Sequence, residues 1–136
     1  MQIKPLITTI LITILLFGIS SSTVFTAESE EQPDPTKIIG EWVRPDGGYI
    51  LSVRDVNPDG SVDAAYFNPS EINVAEANVS TWKGLVKLFI KLQDEGYPGS
   101  TYTLYYYEDK DALAGFYYQA VLDQTFEVVF LRKKDE

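Results

Sequence analysis

The chain of 136 residues contains no cysteine and no histidine. Without cysteine no disulfide can form, so packing and strand pairing alone must hold the fold. The joint absence excludes Ser–His and Cys–His nucleophile pairs and the zinc sites built from these ligands. Carboxylates, tyrosine and lysine remain for catalysis, and no spacing singles out a carboxylate pair. The composition therefore predicts a protein that is not an enzyme and has no cofactor.

Positive charge is scarce. The chain has 11 basic residues against 20 acidic ones, a net charge of −9 at pH 7. A surface with this balance repels the phosphate backbone of nucleic acids and the anionic headgroups of lipids. We therefore expect neither nucleic acid nor a membrane surface among the partners.

No apolar run reaches the roughly 20 residues of a membrane span. The longest, residues 6–19, follows Lys4 and has the length of a signal-peptide core. We predict a signal peptide over residues 1–27, ending at Ala27, and a secreted or periplasmic protein. The alternative is an uncleaved anchor that reaches Phe25.

Residues 28–38 predict an acidic disordered linker. The segment contains four acidic residues and two prolines, and such a composition cannot bury enough apolar surface to become ordered. The remaining residues, 39–134, suit one domain with a moderate core.

This domain consists of eight short segments rich in Val, Ile, Tyr, Phe and Thr, separated by Gly, Pro, Asn and Asp. The connections are too short for parallel crossovers, and eight strands can close into a barrel without exposed edges. The fold class predicted is all-β: one small antiparallel meander barrel. A two-sheet sandwich is the alternative. The segments are Gly40–Val43, Tyr49–Val56, Ser61–Phe67, Ile72–Trp82, Leu85–Gln93, Thr101–Glu108, Leu113–Val121 and Thr125–Lys133.

A Gly-x-Trp in the first segment, Gly40 to Trp42, and Arg132 at the end of the last resemble the calycin architecture of lipocalins and avidins. The short barrel with tight hairpins is more similar to avidins, although their biotin-contacting pattern is not matched. The resemblance implies that Trp42 and Arg132 form a structural pair that closes one barrel end. The chain also resembles small exported bacterial proteins of unassigned function in residues 42–49, 63–69 and 97–102.

One segment partly matches a calcium-binding loop. Asp55, Asn57, Asp59 and Asp63 occupy four of its ligand positions, but Tyr66 stands where a bidentate Glu is needed. Strands rather than helices flank the segment. A hairpin whose Asp and Asn side chains accept local hydrogen bonds is the favoured interpretation, so no metal site is predicted.

Tyrosines are concentrated in the two segments that begin at Thr101 and Leu113. Their apolar rings and polar tips suit both pockets and partly wet interfaces. A barrel this small can also be filled by its own side chains. We predict a site for an apolar or amphipathic small molecule. The alternative is a protein-binding or hydrolase-inhibiting module that uses the rim or an outer Tyr face, with another exported protein or a second copy as partner. The candidate ligand-binding residues are Tyr66, Asn68, Ser70, Asn73, Tyr102, Tyr117 and Gln119.

Overall fold

The computed structural model describes residues 2, 18, 20–27 and 29–135, in two units, Met1–Glu30 and Glu31–Glu136. Most of the predicted signal peptide, residues 1–27, lies outside the described residues. The described part of the first unit contains no helix or strand. Within the described ranges, no helix is long and apolar enough to cross a membrane.

The second unit is an antiparallel sheet of nine strands curved into a nearly closed barrel. Consecutive strands pair with each other except β4 and β5, and the last strand pairs with the first. The predicted all-β meander barrel is therefore confirmed. The strands are β1 (Gly40–Val43), β2 (Ile50–Val56), β3 (Val62–Phe67), β4 (Glu71–Ile72), β5 (Val74–Trp82), β6 (Leu85–Asp94), β7 (Tyr97–Tyr107), β8 (Ala112–Gln119) and β9 (Gln124–Arg132).

The structure has nine strands rather than the predicted eight, because the fourth predicted segment, Ile72–Trp82, is interrupted at Asn73. The backbone N–H of Asn73 donates to Oδ2 of Asp94 at 2.8 Å, and its side-chain amide donates to the carbonyl of Gln93 at 3.1 Å. These bonds turn the chain, so that β4 pairs with β3 while β5 pairs with β6. The two strands beside Asn73 are thus the two edges of the sheet. Between the two sides of this opening in the barrel, one isolated β-bridge pairs Ser61, just before β3, with Asn78 in β5.

The core fills the barrel with alternate side chains from each strand. β6 shows this alternation most clearly, because its inward residues Val86, Leu88, Ile90 and Leu92 are at most 2% exposed. The largest strand side chains that are completely or almost completely buried are those of Trp42, Tyr66, Tyr102 and Phe130. Gly115 in β8 allows close strand packing, since a Cβ there would lie 2.0 Å from the carbonyl oxygen of Thr103.

A short 3₁₀ helix, Pro35–Ile38, precedes the barrel. The side chain of Asp34 caps it by accepting from the N–H of Thr36 at 2.9 Å. Ile38 is fully buried in the barrel core. The compact unit therefore begins within the segment whose composition predicts a linker, and the burial of Ile38 is one of the contacts that hold this segment against the barrel.

Candidate functional site

The two ends of the barrel differ. At one end the connections after β1, β3, β6 and β8 surround an open cavity of about 480 Å³, which we call the mouth. The 3₁₀ helix covers part of the opposite end, which we call the closed end. The mouth is lined by Arg44, Tyr49, Tyr66, Asn68, Gly96, Tyr97, Tyr117, Gln119 and Phe126.

Arg44 lies at the base of the mouth and is only 9% exposed. Its Nε and Nη2 donate to the two carboxylate oxygens of Asp46 at 3.0 and 2.6 Å. The guanidinium carbon lies 4.4 Å from the ring centroid of Tyr49. Burial opposes the charge of Arg44, but the hydrogen bonds and charge interactions with Asp46 and Tyr102 together outweigh it and raise the pKa. The hydrogen bond from Arg44 lowers the pKa of Asp46, so the pair stays ionised.

A chain of hydrogen bonds runs from Arg44 into the barrel. Nη1 of Arg44 donates to the hydroxyl of Tyr102 at 2.9 Å, and this hydroxyl lies 2.8 Å from that of Tyr66. Burial raises the pKa of Tyr102 to about 12 and raises that of Tyr66 further above its usual value. Both phenols are therefore neutral at physiological pH and can donate a proton in a hydrogen bond.

Polar and aromatic side chains form the rim of the mouth. Nδ2 of Asn68 donates to the hydroxyl of Tyr97 at 2.5 Å. The ring of Tyr117 stacks on that of Tyr102 with centroids 4.6 Å apart. Gln119 is half-buried at the end of β8 and lines the cavity. Aromatic walls with a few polar groups are typical of small-molecule sites.

The structure brings five of the seven candidate ligand-binding residues together. Tyr66, Asn68, Tyr117 and Gln119 line the mouth, and Tyr102 lies directly beneath it. The other two candidates lie elsewhere. Ser70 is exposed in the connection after β3. The backbone N–H and the side chain of Asn73 are hydrogen-bonded to Asp94 and Gln93 between β4 and β5.

Sequence reasoning missed the arginine at the centre of the mouth. Arg44 belongs to the stretch Arg44–Gly48, which reads as an ordinary turn because it contains Pro, Asp and two Gly. Tyr97 was missed because residues 94–99 predict a loop. In the structure only Glu95 and Gly96 form a turn, and Tyr97 begins β7. A tyrosine directly after a Gly turn was the available signal.

At the closed end, Trp42 and Arg132 are paired across β1 and β9. The guanidinium carbon of Arg132 lies 4.2 Å from the Trp42 ring centroid. Nε of Arg132 contacts both carboxylate oxygens of Asp111 at 3.0 and 2.8 Å, while Nη1 and Nη2 donate to the carbonyls of Ile39 and Lys37 at 2.8 and 2.7 Å. Arg132 thus attaches the 3₁₀ helix to the barrel.

The partial calcium motif forms the hairpin between β2 and β3. Oδ1 of Asp59 accepts from the N–H and hydroxyl of Ser61 at 2.9 and 2.6 Å, while Nδ2 of Asn57 donates to the same hydroxyl at 2.9 Å. Asp55 and Asp63 are paired across the two strands. No cluster of three acidic side chains suited to a metal ion occurs in the part of the chain that the structure describes.

The outer surface of β7, β8 and β9 carries a second concave feature, a shallow groove of about 770 Å³. Its apolar members are partly exposed: Trp82 by 43%, Phe116 by 46% and Val129 by 45%. The rings of Trp82 and Tyr105 lie 4.9 Å apart. We call this surface the outer groove. Its lining residues are Pro45, Asp46, Trp82, Tyr105, Tyr107, Ala114, Gly115, Phe116, Glu127, Val128 and Val129.

No protein-family model matches the chain, and searches of curated proteins and of solved structures give no significant match. The site must therefore be interpreted from its own geometry.

Proposed function

We propose that this protein is an exported, non-enzymatic barrel that binds an amphipathic small molecule in its mouth. The observation that carries the proposal is the cavity of about 480 Å³, with aromatic walls and a buried arginine at its base. This volume lies within the range of small-molecule sites.

The contents of the barrel limit where the ligand binds. Below the mouth, Tyr66, Tyr102, Phe130 and the aliphatic core are packed against one another. The ligand therefore occupies the mouth rather than the length of the interior. Its apolar part contacts the tyrosine rings, and the side chains of Asn68 and Gln119 provide further polar groups at the rim.

The mouth favours binding over catalysis. Its lining contains one cation and no carboxylate, and the tyrosines with raised pKa values are poor general bases at neutral pH. The apolar run after Lys4 supports export. The proposed calycin likeness, based on Gly40, Trp42 and Arg132, is consistent with a ligand at the open end of a barrel.

The direct test is native mass spectrometry of the protein in the form its host produces. A released small molecule of constant mass after denaturation supports the proposal and identifies the ligand class. Gln119→Ala should weaken retention of that molecule, because Gln119 lines the mouth. The control Gln93→Ala, at an exposed position of β6, should not. A bare chain that binds no amphipathic probe contradicts the proposal.

The outer groove favours a second candidate, self-association through the outer Tyr face. On a chain of net charge −9, the groove lining has only Asp46 and Glu127 as charged members. A second copy that presents the same apolar surface can therefore approach here with the least repulsion, and two-fold pairing is the commonest symmetry of such contacts.

Sedimentation of the wild-type protein and of Phe116→Lys tests this second candidate. A wild-type dimer that becomes a monomer in the variant supports it. A wild-type monomer at high micromolar concentration excludes it, and so does a dimer that Phe116→Lys leaves intact.

A further inference from the structure

The buried hydroxyls beneath the mouth indicate which polar group the ligand carries. Resting on the proposed function, we infer that the ligand directs a hydrogen-bond-accepting oxygen, of a carboxylate or a carbonyl group, towards the hydroxyl pair of Tyr66 and Tyr102.

The inference follows from counting protons along the hydrogen-bond chain. Arg44 can only donate, so the oxygen of Tyr102 accepts from it. Each phenol then has one proton to donate, but the two hydroxyls share a single contact, at 2.8 Å. Whichever of the two donates, the other keeps a proton for which no described residue offers an acceptor within hydrogen-bonding distance.

A buried donor without an acceptor is costly, on the order of 1–3 kcal/mol. Tyr66 is 1% exposed, yet it forms part of the mouth lining, so an acceptor can reach the pair only from the cavity. Solvent can serve in the free protein. A ligand oxygen that replaces the solvent satisfies the same donor while its apolar part is buried against the rings.

The rim carries a further phenol donor. The hydroxyl of Tyr97 accepts from Nδ2 of Asn68, so its own proton is available to a ligand oxygen. Arg44 is the only charged residue of the mouth lining. A group that only accepts, a carboxylate or a carbonyl oxygen, fits this environment. An ammonium or another group that only donates leaves the phenol proton unpaired.

The test uses the full chain and three probes of similar shape: naphthoate, acetylnaphthalene and ethylnaphthalene. The first has a carboxylate, the second a neutral carbonyl, and the third has no oxygen. Binding is measured by titration with fluorescence detection. We expect at least one oxygen-bearing probe to bind about tenfold more tightly than ethylnaphthalene, the effect of one satisfied buried hydrogen bond. Comparing naphthoate with acetylnaphthalene then identifies the preferred head group.

The double variant Tyr66→Phe/Tyr102→Phe should abolish this preference while leaving the affinity for ethylnaphthalene within about twofold, because both rings remain and only the hydroxyls are lost. Either single variant still leaves one phenol proton without an acceptor. Tyr118→Phe is the matched control, because its hydroxyl donates to Asp123 on the exposed surface; it should bind all three probes as the wild type does. If the double variant does not fold, the ranking of the three probes on the wild-type protein still tests the inference.

The outcomes separate the inference from the proposed function. Equal binding of all three probes by the wild type overturns the inference but leaves a binding mouth. A preference for oxygen that survives in the double variant Tyr66→Phe/Tyr102→Phe also overturns it. Failure of every probe to bind, together with a bare chain in native mass spectrometry, contradicts both.

Discussion

Each end of the barrel has an arginine that packs over an aromatic ring, and these two arginines have similar surroundings. Arg44 at the mouth lies over the ring of Tyr49 and pairs with Asp46. Arg132 at the closed end lies over the ring of Trp42 and pairs with Asp111. In both cases a guanidinium is held between an aromatic face and a carboxylate, an arrangement that suits its planar shape.

The remaining donors of each arginine account for the difference between the ends. Those of Arg132 bind the backbone carbonyls of Lys37 and Ile39, so they attach one piece of chain to another. Nη1 of Arg44 binds the hydroxyl of Tyr102, which carries a proton of its own. Arginine thus links two parts of the chain at one end, and at the other it leaves a phenol proton without an acceptor.

The largest expected effect comes from removing each guanidinium. Arg132→Met should lower the free energy of unfolding by about 3 kcal/mol, because it leaves two carbonyls and a carboxylate without their donor. Arg44→Met should cost about 1 kcal/mol, because the Tyr102 hydroxyl keeps its contact with Tyr66 and the carboxylate of Asp46 is largely exposed to solvent. Urea unfolding of both variants measures this. Equal losses of unfolding free energy in the two variants would mean that the two arginines contribute equally to stability.

Glycine substitutions sharpen the same comparison. Gly40 has a φ of +143°, and a Cβ there would lie 2.6 Å from Nη1 of Arg132. Gly48 near the mouth has a φ of +68° and open space around it. Gly40→Ala should therefore cost about 2–3 kcal/mol, through strain and displacement of Arg132, and Gly48→Ala about 1 kcal/mol. Thermal unfolding midpoints should fall in that order, and the reverse order would contradict the role given to Gly40.

Alkaline pH should lower the free energy of unfolding, because the tyrosines beneath the mouth ionise more easily in the unfolded chain than in the folded protein. In the unfolded chain Tyr102 ionises near pH 10, but in the folded protein its pKa is about 12. Stability is therefore unaffected below about pH 10 and falls above it, by about 2 kcal/mol at pH 12 for this residue alone. Tyr66 has a raised pKa too and acts in the same direction.

The check is urea unfolding as a function of pH, with Tyr102→Phe as the comparison. The slope between about pH 10 and 12 should be shallower in the variant. Identical slopes would show that Tyr102 is not protected from ionisation in the folded state.

The smallest effect concerns the two carboxylates. Hydrogen bonds from the arginines lower the pKa values of Asp46 and Asp111, so each stabilises the fold above about pH 4 and loses this effect as pH falls through its lowered pKa. Both are largely exposed, which limits each contribution to below about 1 kcal/mol. Asp111→Asn should cost slightly more than Asp46→Asn in urea unfolding at pH 7, because Asp111 also accepts from Tyr106.

Much of the fold could be predicted because the period of two in the strands and the Gly, Pro, Asn and Asp turns are local signals. The alternating face of β6 is the clearest case. The break at Asn73 could not be predicted, since it depends on bonds to Asp94 and Gln93, some twenty residues away in the chain. Strand-forming residues on both sides gave no local sign of it.

The mouth was predictable in part for the same reason. Tyr66, Tyr117 and Gln119 lie near strand ends at one rim, so a meander brings them together. The pairing of Arg44 with Tyr102 joins β7 to a turn that is distant in sequence, and no local pattern shows that a turn arginine points into a barrel rather than to solvent.

The break at Asn73 also bears on how the barrel assembles. It divides the sheet into one meander of β1–β4 and another of β5–β9, each built from contacts between neighbours in the chain, while the pairing of β1 with β9 joins distant parts of the sequence. Such distant contacts form slowly. The mouth takes Tyr66 from the first meander and Tyr117 from the second, so it exists only after both have docked. A ligand bound there therefore stabilises the assembled barrel over either half alone.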